Sequence, residues 1–206
     1  CNLRRGRCGV RQYWALVFAV ICFGAHAQVP REALQHRRIL ISAARAELGL
    51  NAPVAMYAAQ IHQESAWMAS ARSRAGARGL GQFMPATADW MPSLGMEKGD
   101  PHNPLWAIQA LVKYDAWLYD RAYPYETICD RWAFALSGYN GGERWRQRRQ
   151  AASWAPGSYR ITAYINPGIT PANQSENQSY APRILLDLQP RYAGWGPTVD
   201  CDGLLR

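Results

Sequence analysis

Long apolar runs, charged residues and paired cysteine motifs are all scarce in this sequence. Charged residues make up 18% of its 206 residues, and no CxxC pair is present. A structural zinc site therefore has no support, and we expect no metal. The longest apolar run, residues 13–24, has about 12 residues, whereas a membrane-spanning helix needs about 20. We therefore expect no permanent membrane anchor.

Apolar and aromatic residues are plentiful. The chain is 49% hydrophobic and 12% aromatic, with 9 Trp and 11 Tyr. A disordered chain would lack this aromatic content. The length is enough for one well-packed core and too short for two sizeable domains. We expect a single globular domain.

The first 27 residues are typical of an export signal rather than of a folded segment. Four arginines precede the apolar run, and Ala25, His26 and Ala27 then form the small-x-small pattern of a signal-peptidase site. We expect cleavage after about Ala27, a mature domain over residues 28–206 and a periplasmic location. These arginines are four of the chain's 23 basic residues, so the formal net charge would fall from +8 to +4. A mildly basic protein suits an anionic polymer such as the cell wall, although charge alone does not select it over nucleic acid.

Two of the five cysteines lie outside this segment, Cys129 and Cys201. An even pair in an oxidising compartment predicts one disulfide. It would tie the C-terminal tail to a core helix.

Helical periodicity dominates the rest of the chain, and neither a strand pattern of any length nor an internal repeat occurs. We predict an all-α or nearly all-α fold. Asn51 is expected to cap the second helix, and the arginines of residues 144–149 are expected to form a solvated helix face. Residues 151–175, rich in Pro, Gly, Ser and Asn, predict a long loop or lid. The predicted helices cover residues 30–48, about 51–68, 85–91, a long segment from 104, about 126–138 and 176–188.

Three separated features carry candidate chemistry. Glu64 ends an apolar helix, with Trp67 and Met68 following it. Residues 73–83 carry Gln82 and three glycines within six residues, which exclude a regular helix and indicate backbone that runs close to another group. No GxGxxG spacing or following Lys-Ser/Thr supports a phosphate loop. The third feature is the segment 139–142, Tyr-Asn-Gly-Gly.

Together these features resemble the soluble lytic transglycosylase family, whose fold is that of goose-type lysozyme. The family's Glu-Ser pair matches residues 64–65, and its Gly-Ala-x-Gly-Leu-Met-Gln-x-x-Pro-x-Thr block matches residues 76–87. Its Ala-Tyr-Asn-x-Gly block matches residues 138–142, and its Glu-Thr-x-x-Tyr block resembles residues 176–180. The match covers about residues 51–188. Four blocks in the right order are more specific than any one of them.

The resemblance implies that Glu64 is the catalytic acid. Cleavage of a glycosidic bond needs an acid that is still protonated at working pH, and a carboxyl in apolar surroundings has a raised pKa. Tyr139 would hold the Glu64 carboxyl by its hydroxyl, and Gln82 would bind substrate or, alternatively, cap its own loop. Asn140 would contact an N-acetyl group or support the loop. Two further residues would line the groove or be buried hydroxyls: Ser73 and Tyr180.

The resemblance also implies a reaction that needs no cofactor. Glu64 would protonate the bond between MurNAc and GlcNAc in peptidoglycan, the substrate's N-acetyl group would stabilise the positive centre, and Glu64 would then deprotonate the C6 hydroxyl to leave a 1,6-anhydro end. No second carboxylate has an obvious role, whereas paired-carboxylate glycosidases need two. Glycine at position 81, where the family usually has Met, would widen the site or remove an apolar contact.

Two other functions remain open from the sequence. One is a hydrolytic muramidase on the same fold, and the other is a non-catalytic glycan-binding component of an envelope machine. Small exported enzymes of this type often serve conjugation, secretion or pilus assembly. The resemblance therefore also predicts such a setting, with an envelope-spanning secretion or conjugation apparatus as a partner. No nucleic-acid partner is expected.

Overall fold

The computed structural model describes residues 28–201, and the predicted export signal lies outside them. This part of the chain is helical and contains no β-strand, as expected, with isolated β-bridges only in the segment 72–83. None of its helices is long and apolar enough to cross a bilayer. The α-helices are α1 (Arg31–Leu34), α2 (Arg37–Leu48), α3 (Val54–Ser65), α4 (Pro85–Trp90), α5 (Pro104–Arg121), α6 (Ile128–Gly141), α7 (Glu143–Ala151), α8 (Tyr159–Thr162) and α9 (Pro171–Pro182). A 3₁₀ helix follows α4 (Met91–Leu94), and a π-helical segment (Arg183–Leu188) and a second 3₁₀ helix (Gln189–Trp195) follow α9.

Helix α3 is the centre of the fold. Its residues 54–61 are all buried and all except Gln60 are apolar, so the buried surface runs around the helix and not along one stripe. That pattern is typical of a helix enclosed by other helices. It packs against α2, the π-helical segment and the last 3₁₀ helix. Asn51 does not cap it, because Pro53 occupies the N-cap and no side chain caps the helix there.

The C-terminal end of α3 is sharply fixed. The sequence predicted that the helix would end at residue 67 or 68, but it ends at Ser65. It ends there because Ala66 and Trp67 adopt left-handed conformations with φ of 50° and 68°. Such angles are unfavourable for residues other than glycine. They are held in place by Trp67, which is buried and donates from Nε1 to the hydroxyl of Tyr192 at 2.8 Å. Glu64 therefore lies on a final helical turn that cannot extend.

Local capping explains where α5 and α6 begin. The Asn103 side chain accepts from the backbone of Leu105 at 2.9 Å, ahead of a proline at the first position of α5. Thr127 and Asp130 form a capping box at the start of α6. The predicted disulfide joins Cys129 of α6 to Cys201.

The glycine-rich loop between α3 and α4 passes close to the segment before α5. Gly79 has a φ of +73°, and a Cβ at this position would lie 1.7 Å from the carbonyl oxygen of Pro101. No other residue fits there. The expectation of a close backbone approach is confirmed at Gly79, whereas a Cβ at Gly76 would meet nothing within 4 Å.

Tertiary contacts change three of the predicted elements. The first helix is interrupted at residues 35–36, where buried His36 stacks on Trp67. The segment 151–175 is not one long loop, because it contains α8 and the start of α9. The solvated face predicted for residues 144–149 is also wrong in part, because two of its arginines, Arg146 and Arg149, are only 2% and 3% exposed.

Candidate active site

A cleft of about 800 Å³ lies at the end of α3, enclosed by the glycine-rich loop, α5, the end of α6 and α9. Segments far apart in sequence meet here, since α6 and α9 pack against each other and α5 packs against α6. The cleft brings together all the site residues predicted from the sequence: Glu64, Ser73, Gln82, Tyr139, Asn140 and Tyr180.

Glu64 has the electrostatics of an acid that is protonated near neutral pH. Burial raises the pKa of Glu64 from an ordinary value of 4.5 to about 7. The hydrogen bond from Tyr180 lowers this pKa, and the negative charge of Glu176 raises it. The side chain is half-buried and lines the cleft, so a ligand can reach a carboxyl that holds its proton.

The tyrosine that holds Glu64 is not the one predicted. The buried hydroxyl of Tyr180 donates to Glu64 Oε1. The hydroxyl of Tyr139 instead donates to the carbonyl oxygen of Gly81 at 2.6 Å, and its ring packs against Phe83 at 6.0 Å between centroids. Tyr139 therefore ties α6 to the glycine-rich loop, and Tyr180 orients the acid.

Gln82 and Ser73 serve the loop as well as lining the cleft. The Gln82 amide donates from Nε2 to the carbonyl oxygen of Gly79 at 2.9 Å and to that of Ala71 at 3.4 Å. Ser73 Oγ accepts from the backbone N–H of Ala77 at 3.0 Å. Gln82 thus has the loop-capping role that the sequence left as an alternative. Its amide carbonyl is the group that a ligand in the cleft can still engage.

Asn140 and Glu176 form one wall of the cleft. Asn140 Nδ2 donates to Glu176 Oε1 at 3.0 Å, and Asn140 Oδ1 accepts from Asn177 at 3.0 Å. Glu176 is a carboxylate in the cleft that was not assigned a role from the sequence. It begins the block that ends at Tyr180, and residues four apart on a helix share a face, so this spacing was the signal available.

Asp115 of α5 is a further carboxyl close to the site, but it is inaccessible. It is 0% exposed, and its Oδ1 accepts from Gln60 Nε2 at 3.3 Å, while Oδ2 has no partner among the described residues. Burial raises the pKa of Asp115 well above its usual range; the Gln60 hydrogen bond opposes this and the charge of Glu64 adds to it. Burial therefore favours the neutral form of Asp115, which does not line the cleft.

Gly81 leaves no open space beside it, so the expected widening of the cleft is absent at this position, and the alternative, loss of an apolar contact, stays a prediction. A Cβ at this position would lie 2.7 Å from the Phe83 ring and 2.9 Å from the Tyr139 hydroxyl. The space next to the glycine is filled by these two aromatic side chains. A larger residue would displace one of them.

Comparison with known proteins places this geometry in a family. The model of the transglycosylase SLT domain matches residues 41–159, which include Glu64, Gln82 and Tyr139. The matched stretch ends before Glu176 and Tyr180. No curated protein matches the chain.

Solved structures of lytic transglycosylases share the fold. An inactive mutant of the lytic transglycosylase Slt from Pseudomonas aeruginosa is 20% identical with a TM-score of 0.61, over 81% of this chain and 26% of its own. A 70-kDa soluble lytic transglycosylase in complex with bulgecin A is 20% identical with a TM-score of 0.63, over 84% and 27%. The 70-kDa enzyme from Escherichia coli is 19% identical with a TM-score of 0.61, over 79% and 25%. This chain thus spans about a quarter of the length of each.

Proposed function

Because this chain belongs to the transglycosylase SLT domain family, we propose that it is a peptidoglycan lytic transglycosylase. It cleaves the β-1,4 bond between MurNAc and GlcNAc and leaves 1,6-anhydroMurNAc ends. The observation that carries the proposal is Glu64 itself, a carboxyl on an accessible cleft wall whose pKa is raised by burial to about 7. A raised pKa on a cleft carboxyl is the property expected of a general acid.

We assign each step of the reaction to a named group. Glu64 transfers its proton to the glycosidic oxygen as the bond to C1 breaks, and the substrate's N-acetyl group stabilises the positive charge at C1. Tyr180, whose hydroxyl donates to Glu64, stabilises the carboxylate that results. That carboxylate then takes the proton of the C6 hydroxyl while the C6 oxygen forms a bond to C1. Glu64 ends the cycle protonated, and no water is consumed.

Glu176 favours one alternative, a hydrolytic muramidase. Its carboxylate lies in the same cleft, and an inverting glycosidase uses a second carboxylate to activate water. One Glu176 oxygen is occupied by the hydrogen bond from Asn140. We assign Glu176 to the cleft wall and retain hydrolysis as the competing outcome of the product analysis.

Replacement of Glu64 by Gln tests the assignment of the acid. The amide is nearly isosteric but cannot transfer a proton, so we expect the rate of peptidoglycan clearing to fall by about 10²-fold or more. Glu97→Gln is a matched control, because Glu97 is exposed and lies outside the cleft. An unchanged clearing rate in the Glu64→Gln variant would refute Glu64 as the acid. Absence of clearing by the wild-type protein would leave a glycan-binding protein as the better description.

Mass spectrometry of the released fragments tests the reaction type. We expect 1,6-anhydroMurNAc ends from the wild-type protein. Hydrated reducing ends alone would identify a hydrolase, and a Glu176→Gln variant that abolishes those ends would identify its base.

We further propose that the enzyme acts outside the cytoplasm. The bond between Cys129 and Cys201 supports this location, since disulfides persist in oxidising compartments. The proposed substrate, peptidoglycan, also lies outside the cytoplasm, so the proposed reaction requires this location. A partner apparatus for conjugation, secretion or pilus assembly stays a prediction from the sequence.

A further inference from the structure

A second, smaller pocket continues from the cleft past Glu176. It has a volume of about 190 Å³. Asn140, Gly141 and Glu176 line both spaces, so a ligand chain can pass from one to the other without leaving the protein surface. We call it the Trp145 pocket, and its remaining lining residues are Trp145, Ile169 and Asn173.

The aromatic side chain of this pocket is held in place without being buried. Trp145 belongs to the first turn of α7 and is half-buried. The guanidinium carbon of Arg148, one turn along α7, lies 4.7 Å from the centre of the indole ring. A cation at this distance stabilises the ring in one orientation. Arg148 covers one face of the indole, and the rest of the ring is available to the pocket that it lines.

The other side chains supply hydrogen bonds of the kind that hydroxyl and N-acetyl groups use. Asn173 is exposed on the first turn of α9, and Asn140 and Glu176 add an amide and a carboxylate. Ile169 provides apolar contact. An aromatic plane with a few amide and carboxylate groups suits a pyranose ring, which has an apolar C–H face and a polar rim.

A buried hydrogen-bond network fixes the pocket walls to each other. Asn177 of α9 donates to the carbonyl oxygen of Ser137 in α6 at 2.8 Å and accepts from Arg149 of α7. Arg149 also donates to Gln174 at 2.8 Å. Gly141 permits this packing, because a Cβ there would lie 2.6 Å from Asn177 Nδ2. The pocket is thus formed before a ligand arrives, which lowers the cost of binding.

We propose that the Trp145 pocket binds a further sugar ring of the glycan strand, beyond the rings that flank Glu64. The proposal rests on the proposed function, since it takes the ligand of the main cleft to be a glycan. It makes Trp145 a determinant of chain-length preference: strands long enough to reach the pocket bind more tightly than short ones. The residues of the chemical step are unchanged by it.

Binding measured in a Glu64→Gln background tests the pocket separately from cleavage. The ligands are peptide-free glycan strands of two lengths, a tetrasaccharide and strands several times longer. Adding Trp145→Ala should weaken binding of the long strands about tenfold, equivalent to about 1.4 kcal/mol, and leave the tetrasaccharide unaffected. Trp145→Phe keeps an aromatic plane and should restore most of the loss, which a general disturbance of the fold would not do.

Trp154→Ala is the matched control. Trp154 is 83% exposed and lines neither space, so its removal should not change binding at either length. The proposal would be overturned if the Trp145→Ala variant bound long strands as tightly as the Glu64→Gln parent. It would also be overturned if the variant lost the same affinity for the tetrasaccharide as for the long strands. The same measurement is repeated with long strands that carry stem peptides. A loss seen with these strands and not with the peptide-free ones would assign the pocket to the stem peptide and would also overturn the proposal. Failure of the wild-type protein to cleave glycan would refute the proposed function alone.

Discussion

Replacing Tyr180 by Phe should move the basic limb of the pH–activity profile upward. The Tyr180 hydroxyl donates to Glu64 and lowers the pKa of that carboxyl, while burial holds it at about 7. Removing the hydroxyl removes stabilisation of the charged form only, so the pKa of Glu64 rises. Activity that depends on protonated Glu64 then persists to higher pH.

The size of the effect follows from the strength of one hydrogen bond. A hydrogen bond to a charged group contributes about 1.5–3 kcal/mol, and one pKa unit corresponds to about 1.4 kcal/mol. Glu64 is half-buried, so solvent screens part of this interaction, and we take the lower end. The basic limb should shift by about one pH unit. The ratio of variant to wild-type activity should therefore be up to about tenfold higher above this limb than below it. This comparison holds even if the variant is less active at every pH because Glu64 is less well oriented.

The assay is the initial rate of peptidoglycan clearing at low substrate concentration, from about pH 5 to about pH 9, where kcat/KM reports the ionisation of the free enzyme. Tyr139→Phe is the matched control, because the Tyr139 hydroxyl donates to Gly81 and not to Glu64. It should leave the limb in place. A shift in the Tyr139→Phe profile with none in Tyr180→Phe would refute the assignment.

Three further substitutions test the surroundings of the site. Replacing both Cys129 and Cys201 by Ala opens a link across 72 residues and should lower the free energy of unfolding by about 4 kcal/mol in denaturant titration; a loss below about 1 kcal/mol would contradict a stabilising disulfide. Asp115→Asn should raise the free energy of unfolding more at pH 7 than near pH 4, because burial raises the pKa of Asp115 in the folded state and so penalises the ionised form that the unfolded chain adopts above about 3.8; equal effects at both pH values would refute this. Gly81→Ala should cost about 1–3 kcal/mol in thermal unfolding, since the nearest ring atom lies 2.7 Å from the new Cβ, whereas Gly194→Ala, which meets nothing within 4 Å, should cost less; equal losses would contradict the crowding.

The sequence predicted helix ends well where the residues that begin or end the helix are neighbours of it in the sequence. The capping residues Asn103 and Thr127 and the glycine at 142 act on neighbouring backbone, so the start of α5 and the limits of α6 follow from sequence within a few residues. The first helix could not be predicted in full. Its interruption depends on His36 stacking against Trp67, a contact between segments about thirty residues apart.

The site residues followed from motif resemblance, but their hydrogen-bond partners did not. Tyr180 is buried and Tyr139 is half-buried, both lie near Glu64, and which hydroxyl reaches the carboxyl depends on how α6 and α9 pack together. The arginines of α7 show the same limit. A basic run indicates solvent exposure, yet Arg149 finds buried acceptors on three other segments that no local pattern reveals.

The left-handed corner at Ala66 and Trp67 makes the length of α3 as important as its composition. One residue inserted into this helix would turn everything beyond it by about 100° and advance it by about 1.5 Å. The corner cannot absorb that rotation, because the Trp67 indole is anchored to Tyr192 in the core. Glu64 would then point away from Tyr180 although every side chain of the site was intact. In laboratory evolution of this protein, insertions and deletions should be recovered from exposed loops and not from the helix that carries Glu64.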